Sequence, residues 1–130
     1  MNSAEKQKEL QMVDLVKTFY SNYQTAVDYR RPTIAQFYAE DGHIVFDGNM
    51  YKSPTFIRSF WTQLPQTEHT YRSLNHTSFV IPTTQRHIVV IAASGNVTYN
   101  DKPYCYTQSL TCTIQNGELK ILTDNYRLLK

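Results

Sequence analysis

The chain has 130 residues, 41% hydrophobic and 18% charged, with Lys plus Arg at 13, Asp plus Glu at 11 and a net charge of +2. That length suits one domain spanning 1–130, and no apolar run approaches the ~20 residues that a membrane helix needs. So small and dispersed a charge excludes the footprint of a direct nucleic-acid binder. Ten Tyr, six Phe and one Trp against four Gly predict a packed, β-rich domain, because disordered chains are poor in aromatic residues. The N-terminal segment Met1 to Gln11 is polar and carries no signal-like apolar core, so an intracellular protein is expected.

From about Glu5 to Asp28, Leu10, Val13, Val16, Phe19 or Tyr20, Tyr23 and Val27 recur at three- and four-residue steps, which predicts one long amphipathic helix. Arg30-Arg31-Pro32 interrupts the pattern, and Pro32 opens a short second helix with Ile34, Phe37 and Tyr38, expected to end near Asp41-Gly42. His43 to Phe46, the turn Asp47-Gly48-Asn49, and Met50-Tyr51 read as a small hairpin. Ser53 as N-cap and Pro54 at the first position open a third helix, whose Phe56, Ile57, Phe60, Trp61 and Leu64 precede the stop at Pro65. The remainder reads as four strands: Glu68 to Ile81, His87 to Tyr99, Tyr104 to Gln115, and Glu118 to Leu128, the last two joined by Asn116-Gly117. Helices first and strands last predict an α+β cone: three N-terminal helices packed on a strongly bent antiparallel β-sheet.

Cys105 and Cys112 lie seven residues apart on one strand, about 23 Å in extended chain, too far to bridge. The sequons at Asn75 and Asn96 have no consequence without a secretory route. No zinc-type spacing, Gly-rich phosphate loop or P-loop occurs, so no metal or cofactor is expected. Tyr38, His43, Asp47, His69, His76, His87 and Asp124 are the acid-base candidates. Asp47 reads as a turn residue, and His69 and His76 fall on opposite faces of a regular strand. Tyr104, Tyr106 and Trp61 lack a basic row that would make them a base-stacking platform and read as core. The Tyr104–Gln115 strand sets Tyr104, Tyr106, Gln108 and Leu110 against Thr107, Ser109 and Thr111, whereas the His87–Tyr99 and Glu118–Leu128 strands carry apolar residues on both sides, and helices can cover only one face. The other side is a candidate for flat burial against another protein.

The element order, with Phe19-Tyr20, Asp28-Tyr29-Arg30-Arg31, Phe46-Asp47-Gly48-Asn49, Gln63-Leu64-Pro65, Tyr106-x-Gln108-x-Leu110 and Asp124-Asn125-Tyr126-Arg127-Leu128, resembles the nuclear transport factor 2 fold family over nearly the whole chain. Within it, Asp28-Tyr29-Arg30-Arg31 and Asp47-Gly48-Asn49 look like the export branch. Members of that branch pair with the matching domain of a nuclear RNA export factor and support mRNA passage through the nuclear pore. The resemblance implies a non-catalytic heterodimer subunit, shuttling between nucleus and cytoplasm, that meets nucleoporin Phe-Gly repeats through the complex. It implies a partner-facing side of Ile88, Val90, Ala92 and Ser94, then Thr107, Ser109 and Thr111, then Ile121, Thr123 and Asn125, with Arg127 pairing to an acidic partner residue. Phe46, Asp47, Trp61 and Tyr126 are the expected rim of any pocket in the cone. One alternative is the branch that carries Ran-GDP as a homodimer. Its acidic site keeps Asp47 but meets Asn100 and Lys102 here, with Asp101 between them, which disfavours Ran. A second alternative is the branch of small cone-fold isomerases and dehydratases.

Overall fold

The computed structural model describes residues 2–130. Helix α1 runs Ser3–Tyr29, capped by Asn2, whose side chain accepts from the Glu5 amide at 2.9 Å. Its buried stripe is Val16, Tyr20, Tyr23 and Val27, while the first turns stand clear of the core. Arg31 closes this helix and also α2, Pro54–Gln63. Its guanidinium donates to the carbonyls of Val27 at 2.7 Å, Trp61 at 2.8 Å, Leu64 at 2.5 Å and Pro65 at 2.8 Å. Helix ends leave orphan carbonyls, and one planar cation satisfies those of both helices here. In α2, Ser53 accepts from the Phe56 amide, and Ile57 and Trp61, four apart, face inward.

The second helix is shorter than the pattern predicts. It is a 3₁₀ helix, Arg31–Phe37, and β1, Tyr38–Phe46, begins where a helical turn was expected. Glu40-Asp41-Gly42 resembles a helix end, but Gly42 serves a close approach: a Cβ there would lie 2.6 Å from the Ile121 carbonyl oxygen. Strand β2, Asn49–Lys52, follows a tight turn in which Asp47 and Gly48 take left-handed φ of 48° and 89°. The long strands are β3, Thr67–Ile81; β4, Arg86–Tyr99; β5, Lys102–Gln115; and β6, Glu118–Leu129.

The six strands form one sheet in the order β2-β1-β6-β5-β4-β3. It is mixed, not wholly antiparallel, because β1 pairs with β6 in parallel. Turn residues dictate direction only between strands adjacent in sequence, and no turn joins this pair. Besides the register shift in β1 between Tyr38 and His43, two bulges decide which side chains face in. In β3, Arg72 falls out of register opposite Gly95, whose missing Cβ would otherwise meet the Thr70 oxygen at 2.2 Å. In β6, Thr111 pairs with Thr123 but Cys112 pairs with Ile121, leaving Leu122 as the extra residue. On the concave side Val89, Ile91, Leu110, Cys112 and Ile121 join Ile44, Ile57, Trp61 and the α1 stripe in one core.

Candidate functional site

The inside of the cone is polar at its centre. Asp124 is fully buried on β6 and accepts from the Tyr23 hydroxyl at 2.5 Å, the Tyr38 hydroxyl at 2.8 Å and Gln108 Nε2 at 2.9 Å. The two tyrosine hydroxyls also lie against each other, but with both protons aimed at Asp124 that contact carries none. Gln108 Oε1 accepts from Tyr20 at 2.6 Å, and Tyr20 meets the Tyr106 hydroxyl at 3.1 Å. Burial pushes the Asp124 carboxyl up from its ordinary value, and the donated bonds from Tyr23, Gln108 and Tyr38 oppose that rise. Burial first, and then the Asp124 charge, pushes Tyr23 and Tyr38 upward, so both remain phenols and donors.

A second buried carboxylate, Asp28 near the end of α1, accepts from Thr67 Oγ1 at 2.7 Å, the His69 amide at 2.8 Å and His69 Nδ1 at 2.7 Å. His69 Nε2 lies 2.6 Å from the Tyr126 hydroxyl. A carboxylate only accepts, so Nδ1 carries a proton, and a neutral ring leaves Nε2 to accept from Tyr126. An Asp-His-Tyr relay of this kind can move protons only where a substrate can reach it. The cavity beside it, lined by Tyr23, Gln24, Val27, Trp61, His69, Gln108 and Tyr126, holds about 10 Å³. That is room for about one water.

The residues expected to rim a pocket instead plug it. Phe46 stacks on Tyr126 at 5.0 Å, Tyr126 stacks on Tyr106 at 5.5 Å, and Trp61 meets Phe46 edge-on at 5.8 Å. Asp47 stands outside in the turn, its Oδ1 accepting the Leu128 amide at 2.9 Å. The remaining acid-base candidates do not converge on this centre. His43 sits on β1 with Nε2 3.4 Å from Thr123 Oγ1, His76 approaches Glu9 at 3.5 Å, and His87 lies on β4. The Arg72 bulge overturns the expectation of opposite faces: His69 and His76 both point to the helix side. Among the described residues no three His, Cys, Asp or Glu side chains gather as metal ligands.

Sequence reasoning missed the Asp28 to His69 contact, which spans 41 residues and depends on that bulge. The signal for Gln108 was present: it alternates with Tyr106 and Leu110 on an otherwise apolar side.

The convex side of the sheet is covered by neither α1 nor α2. Its register aligns Asn75, Ala92, Ser109 and Asn125 across β3 to β6, and beside them Ser73, Ser94, Thr107 and Arg127. These residues line a shallow depression of about 390 Å³. Ala92, Thr107, Ser109, Asn125 and Arg127 are exposed, and Val90, Ser94, Thr111 and Thr123 are half-buried. Ile88 shares this side but is covered, 5% exposed, between Phe79 and Thr113. Ile121 does not belong here: the Leu122 bulge turns it into the core, where it is 0% exposed.

The sequence pattern of the nuclear transport factor 2 domain matches residues 15–128. An NTF2-related export protein of Caenorhabditis elegans is 26% identical over 114 residues, 85% of this chain and 83% of that protein. Among solved structures, nuclear transport factor 2 from Cryptosporidium parvum superposes with a TM-score of 0.73 at 18% identity, covering 91% of this chain and 94% of that one. The Candida albicans Mtr2-Mex67 M domain complex gives 0.63 at 14%, covering 88% and 93%. A putative scytalone dehydratase from Novosphingobium aromaticivorans gives 0.74 at 13%, covering 96% and 89%, so the fold also houses enzymes. With the pattern running from α1 to the end of β6 around this curled sheet, the chain belongs to the nuclear transport factor 2 domain family.

Proposed function

We propose that this chain is the non-catalytic subunit of an mRNA nuclear export receptor. It pairs through its convex sheet with the nuclear transport factor 2-like domain of a nuclear RNA export factor, shuttles between nucleus and cytoplasm, and meets nucleoporin Phe-Gly repeats through that complex. The observation that carries the reading is the uncovered convex face, small along its middle and marked by the exposed Arg127. A relative named as an export protein and a fold neighbour solved as a two-protein complex support it. The plugged cone, with about 10 Å³ of free space, speaks against turnover of a small molecule. Carriage of Ran-GDP is disfavoured by Asn100 in the β4–β5 turn, by Lys102 at the start of β5 and by the engagement of Asp47 with Leu128.

The test is a titration of the purified chain with the export-factor domain from the same organism. One-to-one binding is expected, and Arg127→Glu should weaken it at least tenfold while leaving the chain folded, because like charge then faces the partner's carboxylate. Unchanged affinity in that variant removes Arg127 from the interface. A wild-type chain that ignores the domain and binds Ran-GDP instead overturns the reading.

A further inference from the structure

Three of the large apolar side chains left exposed by folding stand on the convex face, at its margins. Met50 on β2 is 54% exposed, Phe79 on β3 is 50% and Leu129 on β6 is 49%. The register fixes their side of the sheet. Met50 pairs with Val45, Val45 with Asn125, and Asn125 with Ser109, so Met50 ends the row that crosses the small floor. Phe79 pairs with Ile88, which pairs with Thr113. Leu129 pairs with Cys105, which pairs with Asn96. Large apolar groups thus mark three corners of a dish whose centre is Ala92, Ser94, Thr107 and Ser109.

The dimensions fit a stable interface. Six strands at ~4.8 Å spacing span about 24 Å, and the nine residues from Ile88 to Asn96, eight steps of ~3.3 Å, span about 26 Å. That is roughly 600 Å² in projection, close to the ~800 Å² that each partner of a standard complex buries once side chains are counted. Charge narrows the occupant further. The rows between Phe79 and Leu129 carry Arg127 and Lys52, while Lys120 turns off the face to the Gln36 carbonyl at 2.5 Å and Glu118 at 3.9 Å. The one carboxylate beside these rows, Asp47, is held by the Leu128 amide, and among the described residues Arg127 makes no ion pair. A second copy of this chain would set one dish against another, leaving depressions of about 390 Å³ unfilled and Arg127 unpaired.

We infer that Met50, Phe79 and Leu129 are the anchors of the partner interface, and that the partner is a non-identical sheet. That sheet carries bulky apolar side chains at its centre to fill the dish, apolar pockets at its margin for the three anchors, and a carboxylate for Arg127. The inference rests on the heterodimer reading above and adds to it which side chains hold the complex and what shape the partner presents. Phe79 is the strongest of the three, since a half-exposed aromatic beside the covered Ile88 gains most from complete burial.

The experiment is calorimetric titration of the nuclear transport factor 2-like domain of the same organism's nuclear RNA export factor into wild-type chain and four variants, each checked for folding by circular dichroism. Phe79→Ala is expected to weaken binding about 30-fold, as for an interface hot spot, and Met50→Ala by a smaller factor. Ala92→Trp, which fills the dish from this side without touching the core, is expected to abolish binding. Phe56→Ala removes a side chain that is 69% exposed on α2 and is expected to bind as wild type. Full affinity in both Phe79→Ala and Ala92→Trp, with Arg127→Glu still weakened, overturns the anchors and leaves the heterodimer reading standing. No binding by the wild-type chain, or wild-type homodimers that exclude the domain, overturns both.

Discussion

Asp124 concentrates the cost of a polar interior in one carboxylate. Its raised folded value means that the native state holds the proton more tightly than the unfolded chain does. The group's contribution to stability is therefore fully present below the ordinary value of 3.8 and is lost as pH rises through the folded value. Asp124→Asn, whose amide oxygen can still accept from Tyr23 and Tyr38, should gain stability relative to wild type as pH rises from about 4 toward 7, by urea unfolding at each pH. Asp124→Ala leaves the Gln108 amide and one of the two phenols without an acceptor, since the other can turn to its neighbour, and should cost about 2–3 kcal/mol at neutral pH. The cysteines give a second measurement at this scale. Burial pushes the Cys112 thiol up to about 12, whereas Cys105 is exposed on the convex face. A thiol reagent at neutral pH should therefore label one cysteine in the native chain and both after denaturation.

Among the elements, the two bulges and the Arg31 clamp do the most to set geometry. Gly95→Ala would drive a Cβ to 2.6 Å from Tyr71 Cα, so β3 must give up its bulge or move off β4. A loss of about 1–3 kcal/mol is expected, as for overpacking, with His69 turned away from Asp28. The His69 side-chain resonances in NMR report the second effect separately from the first. Arg31→Lys replaces a planar fork that reaches Val27, Trp61, Leu64 and Pro65 with a single ammonium. It should lower the thermal midpoint through loss of about 2–3 kcal/mol, with fraying at the ends of α1 and α2 visible in hydrogen exchange. Most elements were legible in the sequence because their signals are local. Asn2 lies just outside the predicted start of α1, Ser53-Pro54 opens α2, and Asp47-Gly48 and Asn116-Gly117 make two of the tight turns. The shortened second helix was not legible, because Gly42 is pressed hardest by β6, a partner 79 residues away, and only secondarily by the nearby Ala39 carbonyl.

For the whole molecule, an uncovered sheet face with apolar corners should make the isolated chain self-associate weakly and with concentration, since a second copy leaves the dish unfilled. Light scattering of the purified chain is expected to show a mass above that of a monomer, and addition of the export-factor domain should convert it to a one-to-one complex. Persistent monomer at high concentration would count against an obligate partner. The sequence by itself determined the α+β class, the order of helices and hairpins, the family, and most of the convex surface, since period-two alternation names the two sides of a regular strand. The tertiary structure alone decided the parallel pairing of β1 with β6, the closure of the cone by Phe46, Trp61 and Tyr126, and the joining of Asp28 to His69. It also moved Ile121 into the core through the one extra residue at Leu122. Those features depend on contacts between residues distant in sequence and on bulges that shift the alternation by one, and neither leaves a periodic trace along the chain.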